Sequence, residues 1–179
     1  MKKIVVNDTS VFIDLFNIGL LEEFFSLPWE IHTTDFVMLE LQREGQKEKV
    51  ARYQADNRLH VPVLGPKEMS KIVDMYQQYK NRTNLSLTDC SVWYYSKMNN
   101  YILLTGDRKL RTVAIYDEVE VHGVIHVIDC LVECAKINLH TAIEKMELLY
   151  NTNPRLPKEE KSKRLTLWQS EIKRKESSR

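Results

Sequence analysis

Apolar positions recur along this chain at two alternating periods. Ile4–Val6 is a short β-branched run between polar residues and predicts a strand. Across Thr9–Ile18, Val11, Leu15 and Ile18 recur at helical spacing, and Gly19 marks a stop. A short helix is expected over Leu20–Ser26, closed by Pro28, and Trp29–His32 predicts a second strand. Thr34–Glu44 predicts a helix stopped at Gly45, with Phe36, Val37, Leu41 and Glu44 setting its spacing. Lys47–Asp56 is a polar helix, and Leu59–Leu64 alternates like a strand that Pro62 assigns to a sheet edge. Lys67–Tyr79 is amphipathic, Asn81–Ser86 is polar, and Leu87–Met98 is helical with Asn99-Asn100 as its stop. Tyr101–Thr105 is the clearest strand. A helix over Lys109–Ile115 follows, then Glu118–Val121 and Val124–Ile128 as short strands or one interrupted strand. Asp129–Ile137, Thr141–Leu149 and a charged Lys158–Lys175 are the remaining helices, with a break at Asn153–Pro157.

Strands alternating with helices predict an α/β fold: a central, mainly parallel sheet with helices on both faces, three layers in all. Crossovers in such a sheet are right-handed, and ligands bind outside the carboxyl ends of its strands. The reading divides the chain into a domain over residues 1–138 and a helical C-terminal extension with a charged tail over 139–179. A length of 179 residues with 43% hydrophobic content supports one core, and five Gly and five Pro exclude a low-complexity chain. Three cysteines without CxxC spacing read as reduced thiols, not a disulfide frame or zinc site. No signal peptide and no apolar stretch near the roughly 20 residues of a membrane span are visible, which predicts a cytoplasmic protein without membrane contact. The net charge of +1 conceals an asymmetry. Residues 155–179 hold nine Lys or Arg and four Glu, a net +5, which leaves −4 for the rest. That tail is either a solvated helix or a contact surface for nucleic acid or an acidic partner.

Four acids stand at abrupt places. Asp8 and Asp107 each follow a predicted strand, at its carboxyl end. Asp89 is the third residue after Ser86, and Glu40 shares a helical stripe with Phe36 and Val37 that is expected to be buried. Each alone has a local explanation. Asp8 and Asp107 suit helix N-termini, Asp89 fits a capping box, and Glu40 suits an ion pair with Lys or Arg. Together they fit those explanations less well. Like charges about 4 Å apart repel by roughly 4 kcal/mol at an effective dielectric of 20, so a cluster needs protons or a cation. An oxygen-only donor set without His or Cys selects Mg2+ or Mn2+ over zinc.

The segments Val5–Asp14, Leu85–Ser91 and Leu103–Asp107, with Glu40 between the first two, resemble the PIN-domain family. The agreement of order and spacing runs over roughly residues 3–130. The resemblance implies an α/β/α endoribonuclease dependent on Mg2+ or Mn2+. It implies Asp8, Glu40, Asp89 and Asp107 as the catalytic, metal-binding acids, with Ser10 and Thr105 orienting carboxylates or water from behind. Some members carry a further acid two residues beyond the last one, where this chain has Lys109. That departure bears on a second metal and not on the first. Many members are toxins of toxin–antitoxin pairs, which implies a small antitoxin partner and a homodimer. Leu165, Leu167, Trp168 and Ile172 are candidate anchors for such contacts, or for packing onto the chain's own domain.

The expected reaction is hydrolysis of single-stranded RNA. Arg108, Lys109 and Arg111, next to Asp107, and Lys80 and Arg82, before Asp89, are placed to hold the RNA backbone. A haloacid-dehalogenase-type phosphatase needs an Asp where Ser10 stands, and a receiver domain needs a better acid pair than Asn7-Asp8. The alternative of another class is a non-cleaving RNA- or protein-binding module.

Overall fold

The structure, a computed structural model, describes residues 3–42 and 45–177. Five strands form one sheet: β1 (Lys3–Asn7), β2 (Trp29–His32), β3 (Leu59–His60), β4 (Ile102–Leu104) and β5 (Val121–His122). Their order is β3-β2-β1-β4-β5, and every neighbouring pair is parallel. Val5 and Val6 point to opposite faces of β1 and both are wholly buried, so the central strand is covered on both sides. Helices α1 (Thr9–Asn17), α2 (Leu21–Phe25), α3 (Asp35–Glu40), α4 (Gln46–Ala55), α5 (Pro66–Thr83), α6 (Leu87–Asn99) and α7 (Arg108–Tyr116) intervene. Helices α8 (Val124–Glu133), α9 (Leu139–Thr152) and α10 (Lys158–Ser177) complete the chain.

The strand order reverses direction at β1 and β4. From β1 the chain winds outward through β2 to β3, then returns to the other side of β1 for β4 and β5. A parallel sheet opens a crevice where its winding reverses, outside the carboxyl ends of the two strands that flank the reversal. The residues that leave those ends are Asp8 and Thr105-Gly106-Asp107.

The chain forms two compact units. One, residues 1–13 and 28–124, holds the sheet and α3 to α7. The other, residues 14–27 and 125–179, is helical. In it, α10 packs on α9, Trp168 is buried, and the Arg164 guanidinium grips Asp129, with Nε 2.9 Å from each carboxylate oxygen. Of the four apolar tail residues, Trp168 is the buried one. Leu165 and Ile172 are half-buried, and Leu167 is exposed.

Three expected elements differ. Val124–Ile128 is not a strand but the first half of α8, since Val124, Val127, Ile128 and Leu131 recur at helical spacing and are all buried. The edge strand near Pro62 is only two residues long, because the proline cannot continue the ladder. The helix expected over 34–44 ends at Glu40, where buried Leu41 leaves the helical region with ψ 88°. Glu44, one of the residues that set its spacing, lies outside the described residues.

Candidate metal centre

Asp8 is fixed on every side. Its backbone N–H donates to Leu104 of β4 at 2.9 Å, which ties the end of β1 to its neighbour. Its side chain is buried, and Oδ2 accepts from the Ser10 hydroxyl at 2.7 Å and from Thr105 Oγ1 at 2.8 Å. Oδ1 accepts from the Thr9 N–H at 2.8 Å. Both hydroxyls are themselves held from the next loop: Ser10 Oγ accepts from Gly106 N at 2.9 Å, and Thr105 Oγ1 from Asp107 N at 3.0 Å. Ser10 and Thr105 thus connect the first acid to the backbone that presents the last one. A pair of hydroxyls fully occupied in this way sets the rotamer of the carboxylate they serve.

The charge of Asp89 acts on Asp8, and those of Asp107 and Glu40 act on Asp89. Asp107 caps α7, with Oδ1 accepting from Lys109 N at 2.7 Å and Leu110 N at 2.8 Å. Asp89 completes a capping box, with Oδ2 accepting from Ser86 N at 2.7 Å while its own N–H reaches Ser86 Oγ at 3.0 Å. Glu40 does not lie on a buried helical face. Because α3 stops there, its side chain is exposed and Oε2 takes a hydrogen bond of 2.7 Å from Thr9 Oγ1. The local roles and the shared one are compatible, since each uses one oxygen. Glu40 Oε1, Asp89 Oδ1 and Asp107 Oδ2 accept no hydrogen bond among the described residues.

Electrostatics couple the set. Burial pushes the Asp8 carboxyl up to about 6, against the hydrogen bonds of Ser10, Thr105 and Thr9, and the charge of Asp89 pushes the same way. Burial also raises the Asp89 carboxyl, opposed by its bonds to Ser86 and helped by the charges of Asp107 and Glu40. No Lys or Arg among the described residues pairs with any of the four. The repulsion is therefore uncompensated by ion pairs among the described residues, and the uncommitted oxygens are hard donors of the kind Mg2+ and Mn2+ take. The donor set fits such an ion. The side chains as they stand do not close around one: among the described residues no group of three or more His, Cys, Asp or Glu is close enough to hold a metal.

The basic residues divide. Lys80, Arg82 and Lys109 line one groove of about 540 Å³ with Asn81, Thr83, Asn84, Thr112 and Val113. This groove joins the end of α5, just before Asp89, to the start of α7, just after Asp107. Arg108 is exposed beside it in sequence. Arg111 is not available to a ligand in the same way. Its Nη1 donates to the Val121 carbonyl at 3.1 Å and Nη2 to the Thr105 carbonyl at 3.2 Å, bracing β5 against the loop after β4. Gly123 leaves it room, since a Cβ there would stand 3.1 Å from Nη2. A half-buried guanidinium that satisfies two carbonyls is a structural brace, a role invisible in a run of surface-like basic residues. Thr9 was the residue missed: as the first residue of a helix it gave no sign that its hydroxyl would meet a side chain 31 positions away.

A family model described as a PIN domain matches residues 4–170, which takes in nearly the whole chain, the greater part of α10 included. Among solved structures, the crystal structure of PAE2754 from Pyrobaculum aerophilum is similar at 15% identity, with a TM-score of 0.51. The similarity covers 76% of this chain and 100% of that one. At that identity the likeness concerns the fold. Among curated proteins none matches the chain.

Proposed function

The chain belongs to the PIN-domain family, and from that premise we propose that it is a Mg2+- or Mn2+-dependent endoribonuclease acting on single-stranded RNA. The observation that carries this reading is the unbalanced charge at the reversal of the sheet. A buried Asp8, with Asp89, Glu40 and Asp107 acting on one another, has no ion pair with Lys or Arg among the described residues. Three of these carboxylates keep an oxygen uncommitted, and Asp8 is held by two hydroxyls that are themselves tied to the backbone of the loop presenting Asp107.

Asp8, Glu40, Asp89 and Asp107 would hold the ion, which when bound neutralises charge on the phosphate and activates water for phosphodiester hydrolysis. Ser10 and Thr105 keep Asp8 in one orientation, so that no torsional freedom is lost when substrate arrives. Lys80, Arg82 and Lys109 hold the RNA backbone along the groove, with Arg108 near its edge. None of these contacts reads a base. No helix among the described residues is long and apolar enough to cross a membrane. A cytoplasmic toxin of a toxin–antitoxin pair, a homodimer blocked by a small antitoxin, is the finer form of the same proposal.

One observation favours a second reading, a non-cleaving RNA- or protein-binding module: among the described residues no three acids stand close enough to clasp an ion. One experiment separates the two. Single-stranded RNA is incubated with the protein and Mg2+ or Mn2+, alongside Asp8→Asn and Asp107→Asn variants checked for folding by circular dichroism. The nuclease reading expects cleavage that each variant lowers by a factor of at least about 100. Cleavage that survives both substitutions rejects it, and a wild type that binds RNA without cutting any establishes the module.

A further inference from the structure

We propose that Thr9 is a positioning residue that holds Glu40 in the metal centre, an inference that rests on the nuclease reading above. One residue touches two of the four acids. Its N–H donates to Asp8 Oδ1 at 2.8 Å, and its Oγ1 donates to Glu40 Oε2 at 2.7 Å. The two contacts differ in what they need. The N–H bond belongs to the backbone at the start of α1 and persists with any side chain. The bond to Glu40 exists only because position 9 carries a hydroxyl.

Glu40 needs that hydroxyl more than the other acids need theirs. Asp8 has three hydrogen bonds, and Asp89 and Asp107 are each fixed by backbone N–H groups within their own turn. Glu40 has a longer side chain, sits on the last residue of a six-residue helix, and is exposed. The hydrogen bond from Thr9 is the one side-chain contact that orients it among the described residues. Threonine suits the task. It is nearly buried, at 9% exposure, and its branched Cβ restricts χ1, so the donor is pre-aimed. The bond occupies Oε2 and leaves Oε1 uncommitted. It also runs from the first residue of α1 to the last residue of α3, so it fixes Glu40 relative to Asp8.

The test is Mn2+ binding by titration calorimetry, with Mn2+ alone and no RNA, on the full chain. Thr9→Val keeps the shape and removes the hydroxyl, and Thr9→Ser keeps the hydroxyl and removes the methyl. The expected result is a loss of about tenfold in Mn2+ affinity for Thr9→Val, in the range of other groups that orient metal ligands. Thr9→Ser is expected within about twofold of wild type on the same reasoning. In a Glu40→Ala background Thr9→Val is expected to cost nothing further, because its only partner is gone. That background controls for a general loss of structure, which would lower affinity whether or not Glu40 is present. Wild-type affinity in Thr9→Val overturns the inference, as does an equal loss in the Glu40→Ala background or a Thr9→Ser as weak as Thr9→Val. Wild-type protein that takes up no Mn2+ overturns the nuclease reading and this inference with it, whereas the other three results leave the nuclease reading intact.

Discussion

A buried carboxylate without a counter-ion makes a measurable claim about stability. The Asp8 carboxyl lies at about 6 where an exposed Asp lies at 3.8, chiefly because burial disfavours its charge. The sign follows from which form the fold prefers. The folded state binds the proton more tightly, so the stabilising contribution is full below 3.8 and is lost as pH rises through about 6. Two units correspond to about 3 kcal/mol at most. In chelator at pH 7.5, Asp8→Asn should therefore stabilise the protein by about 1–3 kcal/mol, less what the amide loses with Ser10 and Thr105. By pH 4 that gap should close. Urea unfolding of both proteins across this range checks it, and the difference between them is the quantity to follow. His32 is buried, and burial holds its imidazole below the ordinary histidine value, so its protonation destabilises the fold as pH falls below 6.5. Adding Mn2+ should invert the ranking. An ion at 100 times its dissociation constant stabilises the wild type by about 2.7 kcal/mol and the variant hardly at all. No such inversion is expected if Asp8 is only a helix-start residue.

At the scale of elements, α7 shows how a cap and a ligand can be the same residue and still be told apart. Asp107 Oδ1 satisfies two N–H groups at the start of the helix. Asp107→Ala removes both bonds and should cost about 1 kcal/mol of stability, the usual worth of such a cap. Asp107→Asn keeps an acceptor and should fall within about 0.5 kcal/mol of wild type while cleavage is lost. Denaturation and RNA cleavage measured on the two variants separate the roles. Arg111, one turn further on, should behave the opposite way. Arg111→Ala leaves the Val121 and Thr105 carbonyls without their donor and should cost about 1.5–3 kcal/mol, whereas Lys109→Ala should leave unfolding unchanged and weaken RNA binding. The sequence made these residues look alike because charge and spacing carry no record of which side chain turns inward. Asp8, Asp89 and Asp107 were legible as to place, since each stands next to a sharp change of period. Glu40 is placed differently from the sequence expectation. Its position was marked by a helical stripe that ends one residue later, and its contact is with Thr9 rather than with the core. In α8 a segment expected as strand is helical, and its buried residues Val124, Val127, Ile128 and Leu131 recur at helical spacing.

For the whole molecule, the alternation of periods disclosed a parallel sheet, because crossovers between parallel strands need helices. It did not disclose the strand order, which depends on which side of β1 the fourth strand returns to. That return creates the crevice, so the site's location follows from a feature of the fold that no local pattern encodes. Charge has the same character. A net charge of +1 gives almost no overall attraction for RNA, and the strongest local excess, +5 over residues 155–179, is not in the unit that carries the acids. The salt dependence of binding tells which excess matters. If Lys80, Arg82, Arg108 and Lys109 are the contacts, four phosphates are neutralised. Log affinity for single-stranded RNA should then fall against log salt with a slope of about −3. Neutralising Lys80, Arg82 and Lys109 together to Gln should bring the slope to about −1, since each phosphate contact on a single strand contributes about 0.7. Lys173→Gln with Lys175→Gln, two exposed positions on α10, should leave it unchanged. The reverse pattern would move the RNA to the tail. It would also leave the groove lined by Lys80, Arg82 and Lys109 without a substrate.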